Sequence, residues 1–585
     1  MTNPTRVLGL LPCLLALADP AQAQWSSTSA ANLAIGDGAG DQVQAKVVPT
    51  ADGGCYISWF DSDPNGSPAF GYDVRLQRLD AGGHELWPHR GILVADRGFS
   101  STQDYGLDVD LFDHALLTFR DDRFGGTQIT AARVDPAGTL VWGSNGVQLT
   151  NTTAFVAVPK ICGTSDGNCV VAWTENADVQ VQKLDPAGTA VWAANVVLSA
   201  AGSNLASSDL HAADAGGAIL ALQQSGSFTS PRHLLAQKLD IGGNLLWGPA
   251  HLAVFDNGSL QFGNYPRFVV DGSGGAVFGW YSSTPALECR AQHVDAAGVE
   301  QFAHNGVSAS TGPGDRVNPG VAFDPATQTT FLAYVEQSGG QYRIAAQSFD
   351  AIGNRQWSPT GAPITTYGAA AVADVNALAI AGMMAFWTEE PGFAQDRVYG
   401  ARLDAAGTTV VPRFAVSSTP AVKYRIAAAA SSLGYAILLW QDQGSGTSDI
   451  LAQNALPNGS LGGVASFASR NGTGLNPVCF TTTERPALGT TWHGDVAHSA
   501  TTIATGMVVD FTATTGPVLP GVGELLVPFP AAYSAVRFSS GSSDQHTLLL
   551  PGDLAFVGFL FAAQAATLDG AGAHACNALD LRLGL

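Results

Sequence analysis

The stretch "VQVQKLDPAGTAVW" at residues 179–192 is rebuilt as "LLAQKLDIGGNLLW" at 234–247, so the chain must fold into something made of like units. The element Asp-x-x-Gly-x-x-x-Trp recurs at Asp80-Gly83-Trp87, Asp135-Gly138-Trp142, Asp185-Gly188-Trp192, Asp240-Gly243-Trp247 and Asp350-Gly353-Trp357. Degenerate copies stand at Asp295-Gly298-Phe302 and Asp404-Gly407-Val411. An eighth, "AQNALPNG", keeps Gln453 and Gly459 but has Leu456 in place of the acid. Successive positions are 55, 50, 55, 55, 55, 54 and 52 residues apart. A period of this length marks a solenoid, a propeller or an array.

Within a unit the apolar residues alternate or form short runs, without the 3.6-residue period of helices. One unit reads "PRFVVDG", "GGAVFGWY", "ECRAQHVD" and "GVEQFAHNGVSAS", which predicts four strands joined by turns. The second strand ends in an aromatic at Trp59, Phe119, Trp173, Trp280, Tyr334, Trp387 and Trp440, with Leu222 the exception. In the Asp-x-x-Gly turn the acid accepts backbone N–H groups and the glycine takes positive φ. The tryptophan that follows is expected to pack between neighbouring units. The eighth unit stops after its third strand, while "QWSSTSAANLAI" at 24–35 reads as a spare fourth strand carrying Trp25. Joining the two ends would close a ring. The predicted fold is all-β: an eight-bladed β-propeller over residues 24–464, followed by a small β-sandwich over 465–585, where the period is lost.

The 68 glycines suit many short strands with tight turns, and 46% hydrophobic against 13% charged residues argues for a packed core. A net charge of −21 and a pI near 4.7 speak against nucleic acid as a partner and leave cations, basic proteins and glycans. Residues 1–23 read as an export signal: Arg6, the apolar "VLGLLPCLLALA", then Ala21-Gln22-Ala23 before Gln24. No run is long enough for a membrane span, so the expected location is secreted or at the cell surface. Disulfides are permitted there. Cys162 and Cys169 flank a turn-rich loop, and Cys479 and Cys576 lie near the two ends of the tail segment. These are the expected pairs, with Cys55 and Cys289 left single.

The pattern "aQrlDaxGxxxWgxxGv" after a strand ending in "aW" resembles repeats of secreted bacterial β-propeller proteins of mostly unknown function. It is also similar to the tryptophan-docking motif of eight-bladed quinoprotein dehydrogenases. That family typically has one more residue between Asp and Gly, and it uses an adjacent cysteine pair that this chain lacks. Here the resemblance implies the geometry and not the quinone chemistry. The "RNGTG-NP" opening and "NALDL-LG" ending of the tail resemble a terminal domain of unrelated exported bacterial proteins, which implies sorting or attachment.

Two groups of residues are candidates for a site. Asp61, Asp63 and Asn65 in "DSDPNG" imitate half of a calcium loop, although the twelfth position is Tyr72 rather than a glutamate. Calcium is the one cofactor the sequence suggests. The loops after the second strands are often acidic, so Asp63, Asp122, Glu175, Glu336, Glu389 and Asp442 are expected to form a ligand-binding rim at one end of the propeller. Neutralising such loop residues should cost within about 0.5 kcal/mol each. Ser165 in "GTSDG" lacks the strand–turn–helix frame of a nucleophile elbow, and His493 and His498 fall on opposite faces of a strand. No catalytic residue is singled out. The expected function is non-catalytic binding of a glycan, a cation or a protein at the cell surface. The alternative is an extracellular propeller enzyme, either a glycan-cleaving hydrolase or, behind it, a quinoprotein.

Overall fold

The computed structural model describes residues 24–62, 71–98 and 105–585. The expected leader, Asp63 and Asn65 lie outside these. The protein is all-β and propeller-like. Between Leu33 and Ala455 the described strands form eight sheets, seven of four strands and one of five. Numbered in chain order, their first strands are Gln42–Pro49, Gly106–Val109, Val156–Gly163, Asn204–Ala212, Phe268–Val270 (preceded by Ser259–Leu260), Asp315–Asp324, Ala371–Leu378 and Lys423–Ala430. Each sheet is an antiparallel meander, as in sheet 1, where Gln42–Pro49, Cys55–Asp61, Asp73–Leu79 and Ile92–Ala95 follow one another. Each first strand packs on the first strand of the next sheet, and that of sheet 8 packs on that of sheet 1.

The turn is built as its chemistry demands. Asp135 Oδ1 accepts the N–H groups of Ala137 and Thr139, and Asp185, Asp240, Asp295, Asp350 and Asp404 repeat the arrangement. The glycine answers to two constraints. Gly188 has φ +83°, which side chains resist, and a Cβ there would lie 3.2 Å from Trp142 of the preceding unit. The wedge of each unit therefore lies against the turn glycine of the next: Trp87 on Gly138, Trp192 on Gly243, Trp247 on Gly298, Phe302 on Gly353, Trp357 on Gly407 and Val411 on Gly459. The tryptophan Nε1 donates to a carbonyl of that same turn, at 3.0 Å from Trp142 to Pro186 and from Trp192 to Ile241. A buried glutamine of the repeat holds the wedge in place. Gln237 Oε1 accepts from Trp247 N at 3.0 Å while its amide donates to Gly248 O at 2.7 Å.

The N-terminal segment supplies what the eighth unit lacks. Leu33–Gly36 pairs antiparallel with Asp449–Ala455, completing the sheet that holds Trp440. Trp25 lies against Gly83 of the first unit and donates to Ala81 O at 2.9 Å, as the other wedges do with their neighbours.

From Ser466 onward the strands form a five-stranded sheet in the order Ser466–Arg470, Gly572–Arg582, Leu560–Asp569, Ala504–Asp510, Tyr533–Phe538. A three-stranded sheet of Phe480–Thr481, Thr491–Ala497 and Ser543–Leu549 accompanies it. Cys479 and Cys576 are disulfide-bonded with a Cα separation of 5.5 Å. One apolar core joins this segment to the seam between sheets 8 and 1, running from Trp25, Trp59 and Ile437 to Trp492, Leu579 and Leu585. No helix among the described residues is long and apolar enough to cross a membrane.

The Cys162–Cys169 pairing is corrected: both thiols are free and buried, as are Cys55 and Cys289. The register sets Gly163 opposite Cys169 and Cys162 opposite Val170. A one-residue offset across a ladder sends the two side chains to opposite faces of the sheet. Cys162 accordingly lies in the core shared with sheet 4, and Cys169 in the core shared with sheet 2. Burial pushes the Cys169 thiol up to about 12 and raises that of Cys162 as well, so both stay protonated.

Candidate functional site

The acidic residues after the second strands occupy one register position. Asp61, Asp121, Glu175, Glu336, Glu389 and Asp442 each stand two residues beyond the aromatic, hence on the same face of their strand and at the same end of their sheet. Their carboxylates are engaged within their own sheets. Asp61 is fully buried, meets Arg75 at 2.5 Å and Arg90 at 3.1 Å, and accepts from Gln42. Asp121 pairs with Arg123 at 2.7 Å. Glu336 is held between Arg343 and Arg316. Glu389 meets Arg413 at 3.3 Å, and Asp442 pairs with Lys423. Trp173, Trp387 and Trp440 donate their Nε1 to Glu175, Glu389 and Asp442 at 3.1–3.2 Å. Asp122 accepts the N–H of Gly98.

Glu389 and Asp442 tie their second strands to both a tryptophan and a base, Asp61, Asp121 and Glu336 to bases alone, and Glu175 to a tryptophan alone. Of the three calcium candidates, Asp61 is held by two arginines, and Asp63 and Asn65 lie outside the described residues. Among the described residues there is no group of three His, Cys, Asp or Glu placed to hold a metal ion. The stability expectation changes too. Asp442→Asn would leave the fully buried Lys423 ammonium without its partner, and should cost about 3 kcal/mol rather than a few tenths. Glu175→Gln, which has only a tryptophan donor to lose, should cost under about 1 kcal/mol. Thermal melts of the two variants check this, and equal midpoints would refute it.

Charged groups that do converge come from the first strands, which the sequence reading passed over. The first strands of sheets 1, 3, 6, 7 and 8 each carry a β-bulge, with Gln44, Val158, Asn318, Asp374 and Arg425 at positive φ. Strained non-glycine residues repeated at one level of an inner wall are typical of functional surfaces. Around this level lie Lys46, Lys160, Asp209, His211, Arg267, Asp374 and Arg425, drawn from six different sheets. They stand near enough for their charges to act across sheets, with Arg267 and Arg425 exposed. Lys46 is influenced by Arg267 and Asp209, Lys160 by Lys46, Asp209 and Arg267, and Asp374 by Arg425 and Arg267.

Burial and neighbouring charges shift these groups. Burial, followed by the charge of Arg267, brings the Lys46 ammonium down to about 7, and burial likewise lowers Lys160. Burial pushes the Asp108 carboxyl up to about 6. Burial acts against the charged forms of Asp209 and His211, but their 3.2 Å contact prevails, lowering the acid and raising the imidazole.

In sheet 5 the bulge is replaced by a longer excursion. The ladder on the second strand breaks between Leu260, opposite Ser282, and Phe268, opposite Phe278. Residues 261–267, "QFGNYPR", leave the sheet in between. Two anchors from sheet 4 hold the excursion: Ser208 donates to Pro266 O at 2.7 Å and Gln223 to Asn264 O at 2.5 Å. Phe262 packs edge-on against Phe228 and under the Arg232 guanidinium.

The remaining sequence candidates have structural partners. Ser165 Oγ accepts the Gly216 N–H. His493 meets Glu484 at 2.8 Å, whereas His498 faces Asp544 at 3.3 Å, so the two histidines share no site. A recess of about 440 Å³ lies on the C-terminal segment, lined by Phe467, Phe511, Leu560 and Arg582 among others.

No protein-family model matches the chain, and no curated protein matches it either. Among solved structures, the Dos1 propeller aligns with 74% of this chain and 95% of its own, at 12% identity and a TM-score of 0.44. The polysaccharide lyase Uly1 aligns with 74% of this chain and 97% of its own, at 11% identity and a TM-score of 0.37. The Hadza microbial sialidase Hz136 aligns with 66% of this chain and 73% of its own, at 10% identity and a TM-score of 0.31. At these values the likenesses say nothing of what this chain binds.

Proposed function

We propose that the eight sheets are the blades of one closed β-propeller over residues 24–464, and that residues 465–585 form a small accessory β-sandwich. In this reading the protein is exported after removal of residues 1–23. It acts outside the cell or at its surface as a binding protein, taking a polar ligand such as a glycan into the mouth of the channel. The observation that carries the reading is that Lys46, Lys160, Asp209, His211, Arg267 and Asp374, from five different sheets, stand near enough for their charges to act on one another. Charged side chains from separate units are kept together against burial where they serve a ligand. The acids at the strand ends support it from the other side, since Asp61, Asp121, Glu336, Glu389 and Asp442 are paired with bases.

The second reading, a glycan-cleaving enzyme, is favoured by Asp108 at about 6 and Lys46 at about 7, two groups able to exchange protons near neutrality. A glycan array with residues 24–585, with and without calcium, separates the readings. Binding by the wild type should fall at least tenfold in His211→Ala and Asp374→Asn, and should survive Phe393→Ser, whose side chain is almost fully exposed. Binding indifferent to both channel variants would overturn the channel reading. Release of new chain ends from a bound polysaccharide would establish the enzyme instead.

A further inference from the structure

We propose that Arg267 is the ligand anchor of the channel and receives an oxyanion, the carboxylate or sulfate group of an acidic saccharide. This rests on the channel reading above and adds the chemical class of the ligand. Four observations lead to it.

Arg267 is the residue most widely shared across the channel. Its charge acts on Lys46 of sheet 1, Lys160 of sheet 3, Asp209 and His211 of sheet 4, and Asp374 of sheet 7. Next, its side chain is exposed to solvent, and among the described residues its guanidinium has no hydrogen bond and no ion pair. Arg75 and Arg90, by contrast, hold Asp61, and Arg316 and Arg343 hold Glu336, while Arg425 is exposed like Arg267. An arginine with no ion pair to a carboxylate among the described residues, in a chain of net charge −21, has its fork available for another molecule.

The third observation is how Arg267 is delivered. Where the first strands of five other sheets carry a one-residue bulge at positive φ, sheet 5 inserts residues 261–267 and ends the insertion on Arg267, directly before the strand resumes at Phe268. Ser208, Gln223, Phe228 and Arg232, all of sheet 4 or its connecting loop, pin that insertion. The positioning is therefore preorganised, which reduces the ordering that binding must supply. Finally, the same insertion presents Tyr265, 43% exposed, two residues before Arg267. An exposed aromatic ring and a guanidinium on one short insertion fit a saccharide that offers a C–H face and an anionic substituent.

The test uses residues 24–585 and three probes at matched ionic strength: sodium glucuronate, sodium sulfate, and glucose as the neutral control. Calorimetric titration should show saturable millimolar binding of glucuronate or sulfate but not of glucose. Arg267→Gln should lose at least tenfold in affinity. Arg267→Lys, which keeps the charge without the fork, should fall between the two. Arg537→Gln, on the C-terminal segment, should match the wild type, and circular dichroism should show all variants folded. Absence of saturable anion binding by the wild type, or equal affinity in Arg267→Gln, overturns the proposal. The array separates this from failure of the channel reading. Glycan binding lost in His211→Ala but kept in Arg267→Gln removes the anchor and leaves the channel, whereas binding kept in both removes the two together.

Discussion

Trp25→Ala should destabilise the protein by about 3–5 kcal/mol, the range for truncating a buried large aromatic. Trp25 is 2% exposed and sits at the one joint where units distant in sequence must meet. Its indole lies on Gly83, its Nε1 donates to Ala81 O, and its backbone N–H donates to Gly82 O at 3.0 Å. The strand that follows, Leu33–Gly36, is the fourth of sheet 8 and depends on this anchorage. Trp142→Ala removes an equivalent wedge that is only partly buried and joins two units consecutive in the chain. It should cost clearly less, because a covalent link keeps those neighbours together. The measurement is the thermal midpoint of both variants, with hydrogen exchange of Leu33–Gly36. Equal losses in the two variants would mean that the joint between first and last sheets is no weaker than any other.

Removing the disulfide, as Cys479→Ser with Cys576→Ser, should cost about 4–5 kcal/mol on the chain-entropy account, because the bond closes a loop with a sequence separation of 97. The effect should be regional. Thr491–Ala497 and Leu560–Asp569 should lose exchange protection first. The seam at Trp25 and Trp59 should follow, since it shares their core, and sheets 3 to 6 should keep their protection. Uniform loss across all eight sheets, or none in the C-terminal strands, would refute this picture.

The repeat was readable because its constraints are local. Asp binding N–H groups two and four residues on, and Gly at positive φ, are requirements of a turn that seven or eight residues satisfy by themselves. The spare strand at one end and the missing strand at the other could be counted. The pairing of Cys479 with Cys576 was legible from their places near the two ends of one segment. Cys162 and Cys169 were not, because sequence distance says that two thiols can approach and only the ladder register says which faces they occupy.

The same division separates the two candidate sites. By itself the sequence determined the unit, the turn, the wedge and the run of acids that follow the aromatics. It could not assign those acids a role, because the bases that hold them lie on other strands: Arg75 and Arg90 for Asp61, Lys423 for Asp442, Arg413 for Glu389. Only the tertiary structure decided that most of them pair with a base, and that Lys46, Asp209, Arg267 and Asp374, more than three hundred residues apart at the extremes, lie near enough for their charges to act on one another. The physical reason is that electrostatic energy depends on distance through space and on burial, and neither follows from position in the chain until the ring of sheets is assembled.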